Sequence, residues 1–285
     1  MPILSALNLY PIKSCAGITL QQATLTPMGL MSANIHDREW MVVDADGEAI
    51  TQREFPRMAL ISPQIQDAML ILSAPDMSPL ALPLARTDMA VASRICVQVW
   101  DDQLDACDCG NQAAQWFTKV IGTSCRLVRF APDAQRFAST KWTAGLAVPT
   151  LFSDAFPMLV IGDGSLADLN QKLIAQGRTA LPMNRFRPNI VIGELPAFEE
   201  DFAESYTLNT GSIVLQPAKP CVRCTVPSVD QTTGTLGADP IDVLCTYRAN
   251  PKLDDGITFG MNAILLEGAG SVIRVGQQIE VNLAF

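Results

Sequence analysis

The sequence predicts a mainly β protein, a barrel or sandwich with few helices. Short apolar runs recur through both ends of the chain. They are bounded by Gly, Pro, Asn and Asp, and helical spacing is confined to two stretches. "LSALNLYPI" alternates at its centre and reads as the first strand. "REWMVVDADGEAIT" reads as two strands around a turn at Asp46 and Gly47. "ALISPQI", "MLILSA", "SRICVQVW" and "CRLVRF" continue the strand pattern. Between the last two, "GNQAAQWFTKVIG" has helical spacing at Ala114, Phe117 and Ile121, and Gly122 suits its C-terminal cap.

Residues 131–150 carry no strong period and read as an irregular connection. "PMLVIG" is a short strand, and "GSLADLNQKLIAQG" is the clearest helix. Leu166, Leu169 and Leu173 line one face of that helix, Ser165 or Asp163 could cap it, and Gly177 ends it. Strands resume with "NIVIGEL", "SYTLNTGSIVLQPA", "NAILLE", "SVIRVG" and "QIEVNLAF". The end "GSVIRVGQQIEV" reads as a barrel-closing hairpin.

Composition narrows the function. The chain has 285 residues, 48% hydrophobic and 17% charged, enough for one large or two moderate cores. Asp and Glu number 29 against 20 Lys and Arg, a net charge of -9. That balance disfavours nucleic acid and anionic membranes as partners, though not a local basic pocket for a small anion. No apolar run reaches membrane-spanning length, and "MPILSALNLYPIKSC" lacks the features of a signal peptide, so a cytoplasmic location is expected. His36 is the one histidine, which weakens His-based zinc chemistry and Ser-His or Cys-His triads. The eight cysteines, in a long core-rich chain, read mostly as buried small hydrophobes.

Four segments stand out. "KPCVRCTVPSVDQTTG", residues 219–234, sets Cys221 and Cys224 three apart between Lys219 and Arg223. A structural zinc site would need a second pair, and "CDC" at Cys107 and Cys109 is spaced too tightly. A thioredoxin-like pair would need a helix to start at the cysteines, and Pro227 with the Thr/Gly cluster argues against one. One cysteine as ligand to a cofactor metal with the other in support, and two buried thiols at a strand edge, both remain open. In "YPIKSC", Lys13 and Ser14 can bind phosphate, although the glycines of a P-loop are missing. In "NRFRPNIVI", Arg187 offers a bidentate fork to phosphate and Asn189 can read a heterocycle. In "HDREW", Arg38 ahead of a strand could make a third anion contact, and an isolated Arg equally reads as a solvated charge.

In order along the chain, "LYPIKSCAG", "HDREWMVVDADGEAIT", "QREFPRMALI", "SLADLN", "RFRPNIVI", "KPCVRCTVPSVDQTTG", "FGMNAILLEG" and "IRVGQQIEV" resemble the MOSC proteins (molybdenum cofactor sulfurase C-terminal domain). The nearest subgroup resembles the bacterial YcbX-type proteins and the mitochondrial amidoxime-reducing components. The resemblance covers essentially the whole chain. It implies an N-terminal β-barrel-like MOSC region over residues 1–130 and a MOSC β-barrel over 131–285. It implies a molybdenum–molybdopterin cofactor with Cys224 as the thiolate ligand to the metal, and a family-level association with pyridoxal phosphate binding. Lys13, Ser14, Arg38, Asp154, Ala155, Phe156, Arg187 and Asn189 match positions that hold the pterin, and Asp154 could also orient the reacting site. Cys221 would then support the loop. Lys13, Arg38 and Arg187 converging in an acidic protein would need such an anion to offset their repulsion.

The implied activity is reduction of N-hydroxylated compounds. YcbX-type chains carry a ferredoxin domain. This sequence ends at "QIEVNLAF" and shows no C-x4-C-x2-C spacing between Cys96 and Cys125, so electrons are expected from a separate ferredoxin-, flavoprotein- or cytochrome-type protein. The alternative is a sulfur carrier bearing a persulfide on its cysteine.

Overall fold

The computed structural model describes residues 1–85 and 93–284. Within them the strand-forming runs assemble into four sheets. The largest has nine strands. Its order begins Ile18–Leu20, Ile3–Leu9, Ile190–Gly193, Met158–Gly162, and continues Gly256–Glu267, Ile213–Val222, Ala203–Leu208, Glu280–Leu283. The short strand Ala249–Asn250 pairs beside this path with Gly256–Glu267. Met158–Gly162 and Ile190–Gly193 run parallel, with the helix Asp163–Ala175 crossing between them. Every residue of both strands is buried, as a parallel pair covered on both faces requires.

The smaller sheets come mostly from the first half. One joins Arg94–Val99, Asp102–Asp108, Arg126–Phe130 and Trp40–Val43; another joins Ser62–Gln66, Met69–Ser73 and Leu80–Pro83. The helix Asn111–Ile121 buries Trp116, Phe117 and Val120 and ends at Gly122, whose φ of 87° is left-handed and whose N–H returns to the Thr118 carbonyl. The irregular stretch expected over 131–150 contains no strand or α-helix.

Three expectations about local structure change. The terminal segments do not form a hairpin. Val272–Arg274 pairs with Gln22–Thr26, whereas Glu280–Leu283 pairs with Ala203–Leu208. They part because the N-terminal strand claims the backbone between them: Gly276 N–H donates to the Leu4 carbonyl, Leu4 N–H to that of Gln277, and Ile279 N–H to that of Pro2. The turn at Asp46 and Gly47 forms, with Asp44 Oδ1 accepting from the Asp46 and Glu48 N–H groups. Its second arm is reduced to isolated bridges at Glu48 and Ala49. Gly47 is needed there, since φ is 84° and a Cβ would come 2.4 Å from the Cys96 carbonyl oxygen. Finally, neither Ser165 nor Asp163 caps the second helix. Ser165 Oγ donates to the buried Glu200 carboxylate, and Asp163 accepts from the Glu194 N–H.

Candidate functional site

A cavity of about 340 Å³ gathers segments that are far apart in sequence. Lys13, Ser14, Arg38, Asp154, Ala155, Phe156, Arg187, Asn189 and Cys224 all line it. Sequence distance between them exceeds two hundred residues, so the grouping is a product of the sheet. Leu7 pairs with Ile190, which brings the end of the first strand beside the "RFRPN" turn. Trp40 forms a bridge to Ile12 and its carbonyl accepts from the Lys13 N–H, which fixes the Lys13 turn against the segment carrying Arg38. Ser14, Arg38 and Arg187 have φ of 64°, 49° and 58°. Such left-handed backbone at non-glycine residues is costly and collects at functional sites.

The three cations differ in how they are satisfied. Lys13 is buried; its Nζ forms an ion pair with Asp154 and donates to the Phe152 carbonyl at 3.1 Å. Burial lowers the Lys13 pKa from its ordinary value, with Asp154 opposing. The Lys13 ammonium beside Asp154 holds its carboxyl well below the usual carboxylate range. Arg38 pairs with the buried Asp37 and donates to Asn189 Oδ1 at 3.1 Å. Burial opposes its charge, yet the neighbouring Asp37 carboxylate raises its pKa.

Arg187 has no such partner. It is 8% exposed, and neither Nη1 nor Nη2 has a hydrogen-bond acceptor among the described residues. Its guanidinium lies 4.3 Å from the centre of the Tyr10 ring, and burial lowers its pKa. The expected convergence of three cations is therefore offset internally at two of them and left open at the third. The Asn189 amide is largely engaged already: Oδ1 also accepts from Leu159 N–H, and Nδ2 donates to the Asn8 carbonyl.

The two cysteines are unequal. Cys221, one residue before its strand ends at Val222, is half-buried against the apolar cluster that includes Phe186 and Phe259, and its Sγ accepts from Arg223 Nη1 at 3.1 Å. Arg223 also donates to the Phe186 carbonyl at 2.9 Å, which ties the loop to the "RFRPN" turn. Cys224 is exposed to the cavity. Only a three-residue 3-10 turn, Val226–Ser228, follows it, so the helix that a thioredoxin-like pair needs is missing. All eight cysteines are unbridged; Cys107 lies in another sheet, and Cys109 follows the end of that strand at Asp108. Among the described residues no three His, Cys, Asp or Glu side chains group as a metal site. Burial pushes the thiol of Cys15, next to Ser14, up to about 12.

Several supports were not singled out in sequence. Asp37 sits inside "HDREW" and is the partner that stabilises Arg38. Arg185 donates to the Pro227 and Ser228 carbonyls at 3.3 and 3.1 Å and to Asp230 at 2.7 Å, holding the turn after Cys224. Buried Gln52 donates to the Ser14 carbonyl at 2.7 Å and accepts from Gln231, linking that same turn to the Lys13 segment. Trp100 also lines the cavity. Asp37 carried a signal, as an acid beside a candidate anion-binding Arg; the others depend on long-range pairing that sequence patterns do not report.

Comparison with known proteins decides the family. Residues 1–124 match the MOSC N-terminal beta barrel domain, and residues 148–280 match the MOSC domain. The chain is 36% identical over 249 residues to mitochondrial amidoxime reducing component 2 of Homo sapiens, covering 84% of this chain and 70% of the relative. The chain belongs to the MOSC-domain family. Mitochondrial amidoxime-reducing component 1 of Mus musculus is 34% identical over 280 residues, covering 95% and 79% of the two chains. Molybdenum cofactor sulfurase of Bos taurus is 31% identical over 295 residues, covering 97% of this MOSC protein but 32% of the relative. The mainly β architecture and the resemblance read from sequence both stand. No helix among the described residues is long and apolar enough to cross a membrane.

Proposed function

We propose that this MOSC protein is a molybdenum cofactor-dependent reductase of N-hydroxylated compounds, supplied with electrons by a separate protein. The observation that carries the reading is Arg187: a buried guanidinium with two unpartnered donor nitrogens in a cavity that also presents an exposed thiol. A buried cation left without acceptors is costly unless a ligand supplies them. A phosphate-bearing pterin supplies anionic oxygens, and its metal accepts a soft thiolate. The residues present therefore fit the molybdenum–molybdopterin cofactor.

Arg187, Lys13 and Arg38 would hold its anionic groups, Ser14 and the backbone at Ala155 and Phe156 would position it, and Asn189 would orient Arg38. Cys224 would ligate the metal, with Cys221 and Arg223 fixing its loop. Bound there, the cofactor supplies the two-electron chemistry of oxygen removal from nitrogen. The net reaction cleaves the substrate N–O bond, consumes two electrons and two protons, and releases water. Asp154, held ionised by Lys13, orients the site rather than donating a proton. The names of the amidoxime-reducing relatives support the substrate class.

The exposed Cys224 and the sulfurase relative also favour a second reading, in which the cysteine carries persulfide sulfur. The test of the first reading is reduction of an amidoxime by cofactor-loaded protein with an artificial donor. Full activity in Cys224→Ala would reject Cys224 as the ligand. Persulfide on Cys224 without molybdenum would favour the carrier.

A further inference from the structure

Trp100 is placed at a cost that its surroundings do not explain. Val99 pairs with Asp102, so Trp100 and Asp101 form a two-residue hairpin loop. Trp100 has φ of 57°, in the region that such loops normally give to glycine or asparagine. Its side chain is 55% exposed. A large indole in strained backbone, left half in water, contributes little to the core. Yet it lines the same cavity as Cys224. The Arg53 guanidinium lies over its ring at 5.1 Å. That contact shows the indole accepting a flat, delocalised cation with the geometry of an amidinium.

We propose that Trp100 is a specificity-determining side chain that stacks on flat, delocalised substrates, such as aryl amidoximes and N-hydroxyguanidines, in preference to small aliphatic ones. This rests on the reductase reading of the cavity. In that reaction the N–O bond breaks, two electrons arrive from the donor protein, two protons complete water, and a flat amidine is released. An amidine is protonated near neutral pH, so the product offers the same planar cation as Arg53. The indole face recognises the delocalised part of substrate and product, and the cavity floor receives the N–OH group.

The test titrates benzamidine into cofactor-loaded protein by calorimetry, with Trp100→Gly, Trp100→Phe and Trp100→Leu beside the wild type. The expected result is roughly tenfold weaker binding for Gly and Leu, with most affinity kept by Phe. Trp100→Gly should melt no lower than wild type, because glycine relieves the left-handed backbone. The ratio of kcat/KM for benzamidoxime over acetamidoxime, measured with reduced methyl viologen, should fall about tenfold in Trp100→Leu. Equal benzamidine affinity in wild type, Gly and Leu variants would overturn the proposal, as would no binding to wild type. Should wild type reduce neither amidoxime while benzamidine binding still depends on Trp100, the reductase reading fails and the recognition role of Trp100 survives.

Discussion

Replacing Arg187 with Met should stabilise the cofactor-free protein while removing its hold on the cofactor. Arg187 is 8% exposed and its Nη1 and Nη2 lack acceptors among the described residues. Two unsatisfied donors on a buried charged group cost about 2–4 kcal/mol together. Met has comparable reach and no donors. The loss on the other side is the contact with the Tyr10 ring at 4.3 Å, which contributes about 1–2 kcal/mol. The left-handed φ of 58° is unchanged by the substitution. The balance favours Met by about 1–2 kcal/mol, in line with the gains seen when buried charges are replaced by apolar groups. For a chain of this size that is a rise in Tm of roughly 2–6 °C. The assay is thermal unfolding of cofactor-free wild type and Arg187→Met, with pterin content measured after expression under cofactor-replete conditions. A lower Tm for the cofactor-free variant, together with pterin retained at the wild-type level, would refute the view that Arg187 is kept for an anionic ligand.

Arg185→Ala should behave in the opposite way. It strips donors from the Pro227 and Ser228 carbonyls and breaks the pair with Asp230, and should lower stability by about 3 kcal/mol, read by denaturant midpoint. Acid titration of stability tests the Lys13–Asp154 pair. The Asp154 pKa is depressed on folding, so its contribution is present above the unfolded value of about 3.9 and is lost as pH falls below that value through the folded one. Asp154→Asn should flatten this limb by less than about 1 kcal/mol, because the Asp154 side chain is 75% exposed and solvent screens it. Gly47→Ala should destabilise by more than about 1 kcal/mol, since its Cβ would meet the Cys96 carbonyl at 2.4 Å in left-handed backbone; equal midpoints for the two proteins would contradict the turn geometry.

The strands were legible because alternation and turn residues act locally, as in Ile3–Leu9, and the helix ending at Gly122 was legible for the same reason. Pairing was not. The segments after Ser271 read as neighbours in a hairpin, but residues 2–4 compete for the backbone around Gly276 and win. The site divides along the same line. Lys13, Arg38 and Arg187 could be picked out as charges in turns. Which of them lacks an acid depends on Asp37 and Asp154, whose positions the fold sets. In "RFRPN" two arginines look alike; Arg185 turns to the carbonyls after Cys224, whereas Arg187 turns to Tyr10. Trp100 was invisible for a different reason, since a residue's φ leaves no mark in the letters around it.

We propose that Cys224 ligates molybdenum in this cavity. The most direct measurement is the molar ratio of molybdenum and pterin to protein, in wild type and Cys224→Ser expressed with ample cofactor. Near-equimolar metal and pterin in wild type and loss of the metal in the variant are the expected results. Wild-type protein that carries neither, or a variant that keeps both in full, would contradict that assignment.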